Sequence, residues 1–327
     1  MNGRSLTTCT ANPGDFDPLA VVRLHGQSSW VLRDYANEAH PFNVCTFSPM
    51  TIVLGFIDAH HLSVIDGYNL EVLEVPSGTL YDVNVNSFAL AVAPDYSHVL
   101  WMTQDVQSLH DSWAGHDSVL QRYPPIGAPC GDPDVNSNPI AFTHDAHYAY
   151  ALWNQDTIAT TYLNVISNHR SVLGLAPPAA GWGAAGGPLM AVWNPVTDAL
   201  YYAQQGSVWT WTADGGAQVF APSLRWIDPT LSPDGNRIAY AVRDAKGRAT
   251  VHLLDPATAK PLAALGAGAR TQPFFLTNDL VWMRGDAKGC GAASPATYVY
   301  DLRNHSEGRS IIDAVSATWP AASAIGG

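Results

Sequence analysis

A four-residue turn motif recurs along this chain, and it limits the possible folds more than any other feature. Its clearest copy lies in Leu231-Ser-Pro-Asp-Gly-Asn-Arg-Ile-Ala-Tyr-Ala-Val242, where Ser-Pro-Asp-Gly precedes an apolar, alternating segment. Proline presets φ for the turn, aspartate hydrogen-bonds its own backbone, and glycine accepts a positive φ. The motif therefore predicts a tight turn between two antiparallel strands.

Five further copies carry the same pattern with one or more turn residues replaced. The six turn positions fall at residues 49, 94, 144, 195, 233 and 277, at intervals of 45, 50, 51, 38 and 44 residues. Two more strand-like segments, Thr250–Asp255 and Pro261–Leu265, follow the copy at 233. Four strands per unit (here called A to D) at a period of about 40–50 residues are typical of β-propeller blades.

The segment Leu231–Tyr240 resembles the TolB-type, WD40-like β-propeller repeat, and Val92–Trp101 is a second good match. The resemblance extends over residues 45–315. It implies an all-β propeller of four-stranded antiparallel blades. It implies little about function, because propellers of this kind serve as binding modules, enzymes and accessory domains.

Strand counting favours seven blades. Repeat units start near residues 45, 90, 140, 190, 229 and 273, and a hairpin at 19–34 precedes them. A composite seventh blade, formed by this hairpin and a strand near Ser316–Pro320, would leave no open sheet edge. Six blades with a decorated N-terminus are the alternative. No linker is evident, so residues 1–327 are interpreted as a single propeller domain.

The charge balance excludes two classes of partner. Lysine and arginine number 16 against 28 aspartates and glutamates, which gives a net charge of −12. An acidic surface repels phosphate groups, so neither nucleic acid nor an anionic membrane surface is expected to bind. No apolar segment is long enough for a membrane span. We expect a monomer.

The four cysteines, Cys9, Cys45, Cys130 and Cys290, show no CxxC spacing, which disfavours a zinc site. Cys130 and Cys290 lie in glycine-containing loops, where unpaired thiols are a liability in an oxidising medium. We therefore predict disulfide bonds and a secreted or periplasmic protein. The three possible pairings stay open, and reduced cysteines in a cytosolic protein are the alternative.

Propellers place their A–B and C–D turns on one face and their D–A and B–C loops on the other, around a central channel. Functional residues are expected in unusual segments of the loop face. The B–C connection at 104–117 is expanded and rich in histidine and aspartate. The ligand-binding candidates from this face are Trp113, Asp132, Asp134, Trp182, Arg225 and Trp226.

Two functions fit such loops. The favoured one is a non-catalytic module that binds a protein, peptide or glycan. The alternative is a propeller lyase or hydrolase, with histidine or aspartate transferring a proton and arginine stabilising an anion. No Gly-x-Ser-x-Gly elbow is present, which disfavours a serine hydrolase. The catalytic candidates for the alternative are His110, His116, Asp82, Asp228 and Arg225.

Metal binding has weak support. His110 and His116 are suitable ligand types, but their spacing matches no dedicated metal loop. Asp132 and Asp134 begin a run with oxygen-bearing side chains at alternate positions, which suits calcium, although the glycine and distal glutamate of an EF-hand are missing. An Asx-turn loop is the simpler interpretation. We expect no organic cofactor, and a structural or channel-bound calcium ion is the alternative.

Overall fold

The computed structural model describes residues 7–9, 19–35, 41–58, 60–66, 69–75, 77–82, 87–93, 95, 97–103, 108–122, 140–143, 145–155, 160–167, 171–174, 179–180, 191–204, 206–285 and 296–319. Every regular element in these ranges is a β-strand, and the strands form seven antiparallel sheets. The protein is an all-β, seven-bladed propeller, which confirms the predicted fold class. Within the same ranges, no helix is long and apolar enough to cross a membrane.

The chain divides into two compact units. The first comprises residues 50–75 and 79–188, and the second comprises 6–49, 76–78 and 189–327. Seven sheets are named here in chain order: a closing sheet and sheets 1 to 6. Sheets 1 to 3 belong to the first unit, and the closing sheet and sheets 4 to 6 belong to the second.

The closing sheet joins both ends of the described chain, which confirms the composite blade. Its strands are β1 (Thr7–Cys9), β2 (Leu19–Leu24), β3 (Trp30–Asp34), β4 (Phe42–Phe47) and β30 (Ile312–Trp319). Their order is β1-β4-β3-β2-β30, with Leu19 opposite Trp319 and Leu24 opposite Ile312. The N-terminal segment therefore contributes four strands, two more than the predicted hairpin.

Sheets 1 to 3 follow the chain, with the first strand of each at one edge. Sheet 1 has β5 (Thr51–Asp58), β6 (His61–Asp66), β7 (Asn69–Glu74) and β8 (Thr79–Asp82). Sheet 2 has β9 (Ser87–Val92), β10 (Val99–Thr103), β11 (Ser108–Trp113) and β12 (His116–Arg122). Sheet 3 has β13 (Ile140–Phe142), β14 (Tyr148–Gln155), β15 (Thr160–Ser167), β16 (Ser171–Gly174) and β17 (Ala179–Ala180), which pairs with β15.

Sheets 4 to 6 have the same order. Sheet 4 has β18 (Ala191–Asn194), β19 (Ala199–Gln204), β20 (Ser207–Thr212) and β21 (Gly216–Ala221). Sheet 5 has β22 (Ile227–Leu231), β23 (Ile238–Arg243), β24 (Ala249–Leu254) and β25 (Pro261–Leu265). Sheet 6 has β26 (Arg270–Phe275), β27 (Leu280–Gly285), β28 (Thr297–Asp301) and β29 (Ser306–Arg309).

One predicted turn is a connection between sheets. The segment Ser48–Met50 links β4 of the closing sheet to β5 of sheet 1, so the motif at residue 49 does not join two strands of one blade. The physical reason is its sequence: Ser-Pro-Met lacks the aspartate that closes the turn and the glycine that accepts positive φ. The first repeat unit accordingly starts at Thr51.

The core lies between neighbouring sheets within each unit. Second strands such as β19 and β23 are buried on both faces, which explains their nearly continuous apolar sequences. Sheets 5 and 6 pack through one apolar cluster, and sheets 1 and 2 pack through another. Outer strands are exposed, as in β25, where only Leu265 is buried. The sheets therefore present their outer strands and turns to solvent.

Candidate functional site

Residues 108–122 form a β-hairpin, called here the histidine–aspartate hairpin. Strands β11 and β12 pair along their length and are joined by Ala114-Gly115, with φ values of 46° and 84°. Two positive φ values are the geometry of a type I′ turn, whose twist matches the flanking strands. The prediction of a B–C loop over 104–117 is therefore wrong from residue 108 onward. Its histidines lie on the third and fourth strands of sheet 2.

The first face of the hairpin carries a chain of hydrogen bonds. The Trp101 indole N–H donates to Ser112 Oγ at 2.9 Å, and the Ser112 hydroxyl donates to Asp117 Oδ1 at 2.6 Å. Nδ1 of His110 lies 2.8 Å from Asp117 Oδ2. The His110 ring also stacks on Trp101, with centroids 4.1 Å apart and planes inclined by 23°. Since a carboxylate only accepts, Nδ1 of His110 carries a proton.

The Asp117 carboxylate is anionic at neutral pH and reaches the surface. Partial burial raises its pKa, but hydrogen bonds from Ser112 and His110, together with the charge of His110, lower the pKa further, to below its usual value. Its side chain is 47% exposed, whereas that of His110 is 13% exposed. The first face therefore presents a negative charge whose position is fixed by its own neighbours.

The second face is centred on Trp113. Its ring lies between the imidazoles of His98 and His116, at centroid distances of 5.5 and 5.8 Å. His98, from the turn before β10, places Nδ1 at 2.9 and 3.1 Å from the two carboxylate oxygens of Asp111. Asp111 is fully buried, whereas His116 is exposed. This face therefore combines a buried polar anchor with an accessible aromatic and imidazole surface.

The hairpin separates the two histidines proposed as acid, base or metal ligand. Side chains alternate between faces along a strand, so His110 lies with Trp101 on the first face and His116 with Trp113 on the second. Within the described ranges, no three His, Cys, Asp or Glu side chains are grouped to hold a metal ion. The Ser112 hydroxyl is bonded to Asp117 and not to an imidazole, so it is not arranged as an activated nucleophile.

Three candidates lie in the second unit. Arg225 is exposed, and its guanidinium covers Gly206, where an added Cβ would lie 3.4 Å from Arg225 Nε. Trp226 is fully buried, with its ring 5.9 Å from that of Tyr240, so it offers no surface on which a ligand could stack. Asp228 lies in β22 with a φ of 49°. Arg225 is thus exposed and Asp228 half-buried, whereas Trp226 packs in the core.

The other candidates fall outside what the structure describes. Asp132, Asp134 and Trp182 lie outside the described residues, as does the side chain of Asp82. The backbone of Asp82 ends β8, opposite Glu71.

Five members of the two hairpin networks were not among the sequence candidates: His98, Trp101, Asp111, Ser112 and Asp117. The alternation of His110 and Ser112 with Asp111 and Trp113 is the signal that could have revealed a strand here, with a different polar network on each side.

Comparisons with known proteins support the fold. No protein-family model matches the chain, and no curated protein matches it either. A solved oligogalacturonate lyase from Vibrio parahaemolyticus is similar at a TM-score of 0.53 and 11% identity, over 90% of this chain and 86% of that one. A solved prolyl endopeptidase is similar at a TM-score of 0.55 and 11% identity, over 94% of this chain and 50% of that one.

TolB from Acinetobacter baumannii is also similar, at a TM-score of 0.44 and 12% identity, over 94% of this chain and 68% of that one. At such identities a likeness concerns the fold alone, since one fold serves many unrelated functions. The propeller fold that the TolB-type repeats predicted is confirmed by the seven sheets and by the two similarities with TM-scores above 0.5.

Proposed function

We propose that the protein is a non-catalytic binding module that recognises a protein or peptide through the histidine–aspartate hairpin. The observation that carries this proposal is the placement of an anionic Asp117 and an aromatic Trp113 on opposite faces of one hairpin, beside its exposed turn. Tryptophan is enriched at the centres of protein interfaces, where a large ring meets a partner. Histidine and carboxylate supply the polar contacts around it.

The outer strand of the hairpin supports a polypeptide ligand. β12 is the last strand of sheet 2, and among the described residues no strand of that sheet pairs with its outer side. An extended peptide can add to such an edge, with backbone hydrogen bonds giving affinity and alternate side chains giving specificity. On β12, Asp117 and Val119 are exposed. A peptide with a basic and an apolar side chain two residues apart fits this surface best, because alternate residues of a strand share a face.

Charge favours a basic partner. The protein has a net charge of −12, and Asp117 keeps its negative charge well into the acidic range. Electrostatic attraction raises the association rate and weakens with salt. The complex is therefore expected to form faster at low ionic strength.

A peptide selection on the full chain tests the proposal. Random peptides displayed on phage are selected against the protein, and the enriched peptides are measured by calorimetry. We expect enrichment of lysine and arginine, and at least a tenfold weaker binding to Asp117→Asn, which corresponds to about 1.4 kcal/mol. Asp214→Asn, at an exposed turn of sheet 4, is the matched control. Equal binding to both variants would overturn the proposal.

We also propose that the protein is secreted or periplasmic. Cys9 lies directly opposite Cys45 in the pairing of β1 with β4, and the described residues contain no free cysteine. A disulfide would persist only in an oxidising compartment.

A further inference from the structure

The first strands of sheets 5 and 6, both in the second unit, share the same irregularity. In β22, the dipeptide Asp228-Pro229 lies opposite the single residue Tyr240. In β26, Gln272-Pro273 lies opposite the single residue Met283. Each strand therefore contains a β-bulge, and the two strands pack against each other. Bulges re-aim side chains and are frequent beside binding sites.

Both bulges hold a residue in the left-handed region. Asp228 has a φ of 49° and Gln272 a φ of 47°, and neither is glycine. The proline that follows has no N–H, so the bulge removes no ladder hydrogen bond there. Glycine would adopt these φ values without strain. Aspartate and glutamine at equivalent positions therefore indicate that their side chains have a use.

Two hydrogen-bonded pairs of polar side chains lie along the two bulges and are called here the polar row. The Thr271 hydroxyl donates to Asp228 Oδ2 at 3.2 Å, which links the two strands. Arg284 Nη1 donates to Gln272 Oε1 at 3.0 Å, which orients the carboxamide. With that oxygen occupied, the Gln272 amide group points its two N–H donors away from Arg284, and no described residue accepts from them. All four side chains are partly exposed.

We infer that this row, Asp228, Thr271, Gln272 and Arg284, binds a neutral carbohydrate. Its carboxylate and guanidinium balance in charge, so the row selects neither an anion nor a cation. What the row offers is the planar Gln272 carboxamide, whose two N–H donors can engage two adjacent hydroxyls at once. Vicinal hydroxyls that both donate and accept are the chemistry of a sugar ring. This site lies in the second unit and does not depend on the proposed peptide-binding hairpin.

Glycine variants test the inference, because they remove the side chains and keep the backbone. Gln272→Gly and Asp228→Gly are compared with the wild type by calorimetry and saturation-transfer NMR. The probes are maltotetraose, cellotetraose, mannotetraose and xylotetraose. We expect at least one probe to bind and each variant to weaken it tenfold or more. The thermal midpoints should change little, because relief of the positive φ offsets the loss of one hydrogen bond in each variant.

Two controls separate this site from other effects. Gln218→Ala removes an exposed carboxamide from β21 and should bind as the wild type does. Asp117→Asn should also leave sugar binding unchanged, so failure of the peptide proposal would not affect this one. The inference is overturned if no probe binds the wild type, or if both glycine variants bind with wild-type affinity.

Discussion

The carboxylate of Asp111 has no exposed surface, and both of its oxygens lie within hydrogen-bond distance of Nδ1 of His98, at 2.9 and 3.1 Å. The two residues join the turn before β10 to the third strand of sheet 2. A buried carboxylate is costly unless donors or a cation compensate it. The pair therefore anchors the histidine–aspartate hairpin to the rest of its sheet.

Replacing His98 with alanine should destabilise the protein markedly. The change removes a donor from a buried carboxylate, and breaking a buried pair in this way costs about 3 kcal/mol. Denaturant midpoints of the wild type and His98→Ala measure the effect. His116→Ala is the matched control, because His116 also contacts Trp113 but is exposed, and its loss should cost under about 0.5 kcal/mol. Similar losses for both variants would contradict an anchoring role.

The Ser-Pro-Asp-Gly turn links neighbouring sheets, and Gly235→Ala should show this. Gly235 has a φ of +72°, and an added Cβ would lie 2.8 Å from Cγ2 of Val196. Asn194 Nδ2 also donates a hydrogen bond to the Gly235 carbonyl oxygen, at 3.1 Å. We expect a loss of about 2 kcal/mol from the strained φ and the close contact together. Unfolding midpoints provide the measurement.

Gly247→Ala isolates the contribution of the backbone. Gly247 has a φ of +75° but no atom within 4 Å of its added Cβ. The Gly247→Ala variant should lose about 1 kcal/mol of stability, from backbone strain alone. If the alanine variants at 235 and 247 lose the same stability, the contact with Val196 has no energetic role.

Local chemistry made the strands and turns of sheet 5 predictable. Its turn has the residues that turn geometry requires, and the apolar run of β23 follows that turn directly. The hairpin at 108–122 was hidden because its alternating residues are polar on both faces. His110 pairs with Asp117 and Asp111 pairs with His98, and these polar contacts add to the burial of Leu109 in the core between sheets 2 and 3.

The bulges at Asp228 and Gln272 were hidden for another reason. A bulge changes register by one residue, and a sequence period cannot reveal which residue is the extra one. The only sequence feature that marks them is a proline directly after each residue, and the two prolines lie 44 residues apart in equivalent repeat units. Asp228 was selected from the sequence for its charge, whereas Gln272 and Thr271 gain significance only from the neighbouring strand.

Stability should fall in acid through Asp145. Partial burial raises its pKa, but hydrogen bonds from the Thr143 hydroxyl and from the backbone and ring of His147 outweigh this and bring the pKa to about 2. The unfolded value is about 3.9. Because the folded pKa is lower, the stabilisation is complete above about pH 5 and disappears as the pH falls towards 2.

Thermal midpoints of Asp145→Asn and the wild type, measured from pH 7 to pH 2, test this dependence. The difference between them should be constant down to about pH 5 and vanish near pH 2. Asp214→Asn serves as the control, since Asp214 lies in an exposed turn with no hydrogen bond of this kind. A wild-type advantage that persists unchanged at pH 2 would exclude the Asp145 carboxylate as its source.

Cys9 and Cys45 should form a disulfide. They lie directly opposite each other where β1 pairs with β4, and Cys45 is 1% exposed. Opposite residues of antiparallel strands have Cα atoms about 4.5–5.5 Å apart, within the range that a disulfide spans. Peptide mapping without reductant should recover the two cysteines in one linked fragment, and alkylation before reduction should label neither.

Breaking this bond should destabilise the closing sheet. The bond closes a loop from residue 9 to residue 45, and loops of this size stabilise by about 3–4 kcal/mol through the entropy of the unfolded chain. Cys9→Ser and Cys45→Ser should therefore lower the unfolding midpoint alike, and reductant should lower the wild type to the same value. Linkage of Cys9 to Cys130 or Cys290 would show that the backbone register of β1 does not determine the pairing. Four free thiols in protein from an oxidising compartment would remove the physical support for export.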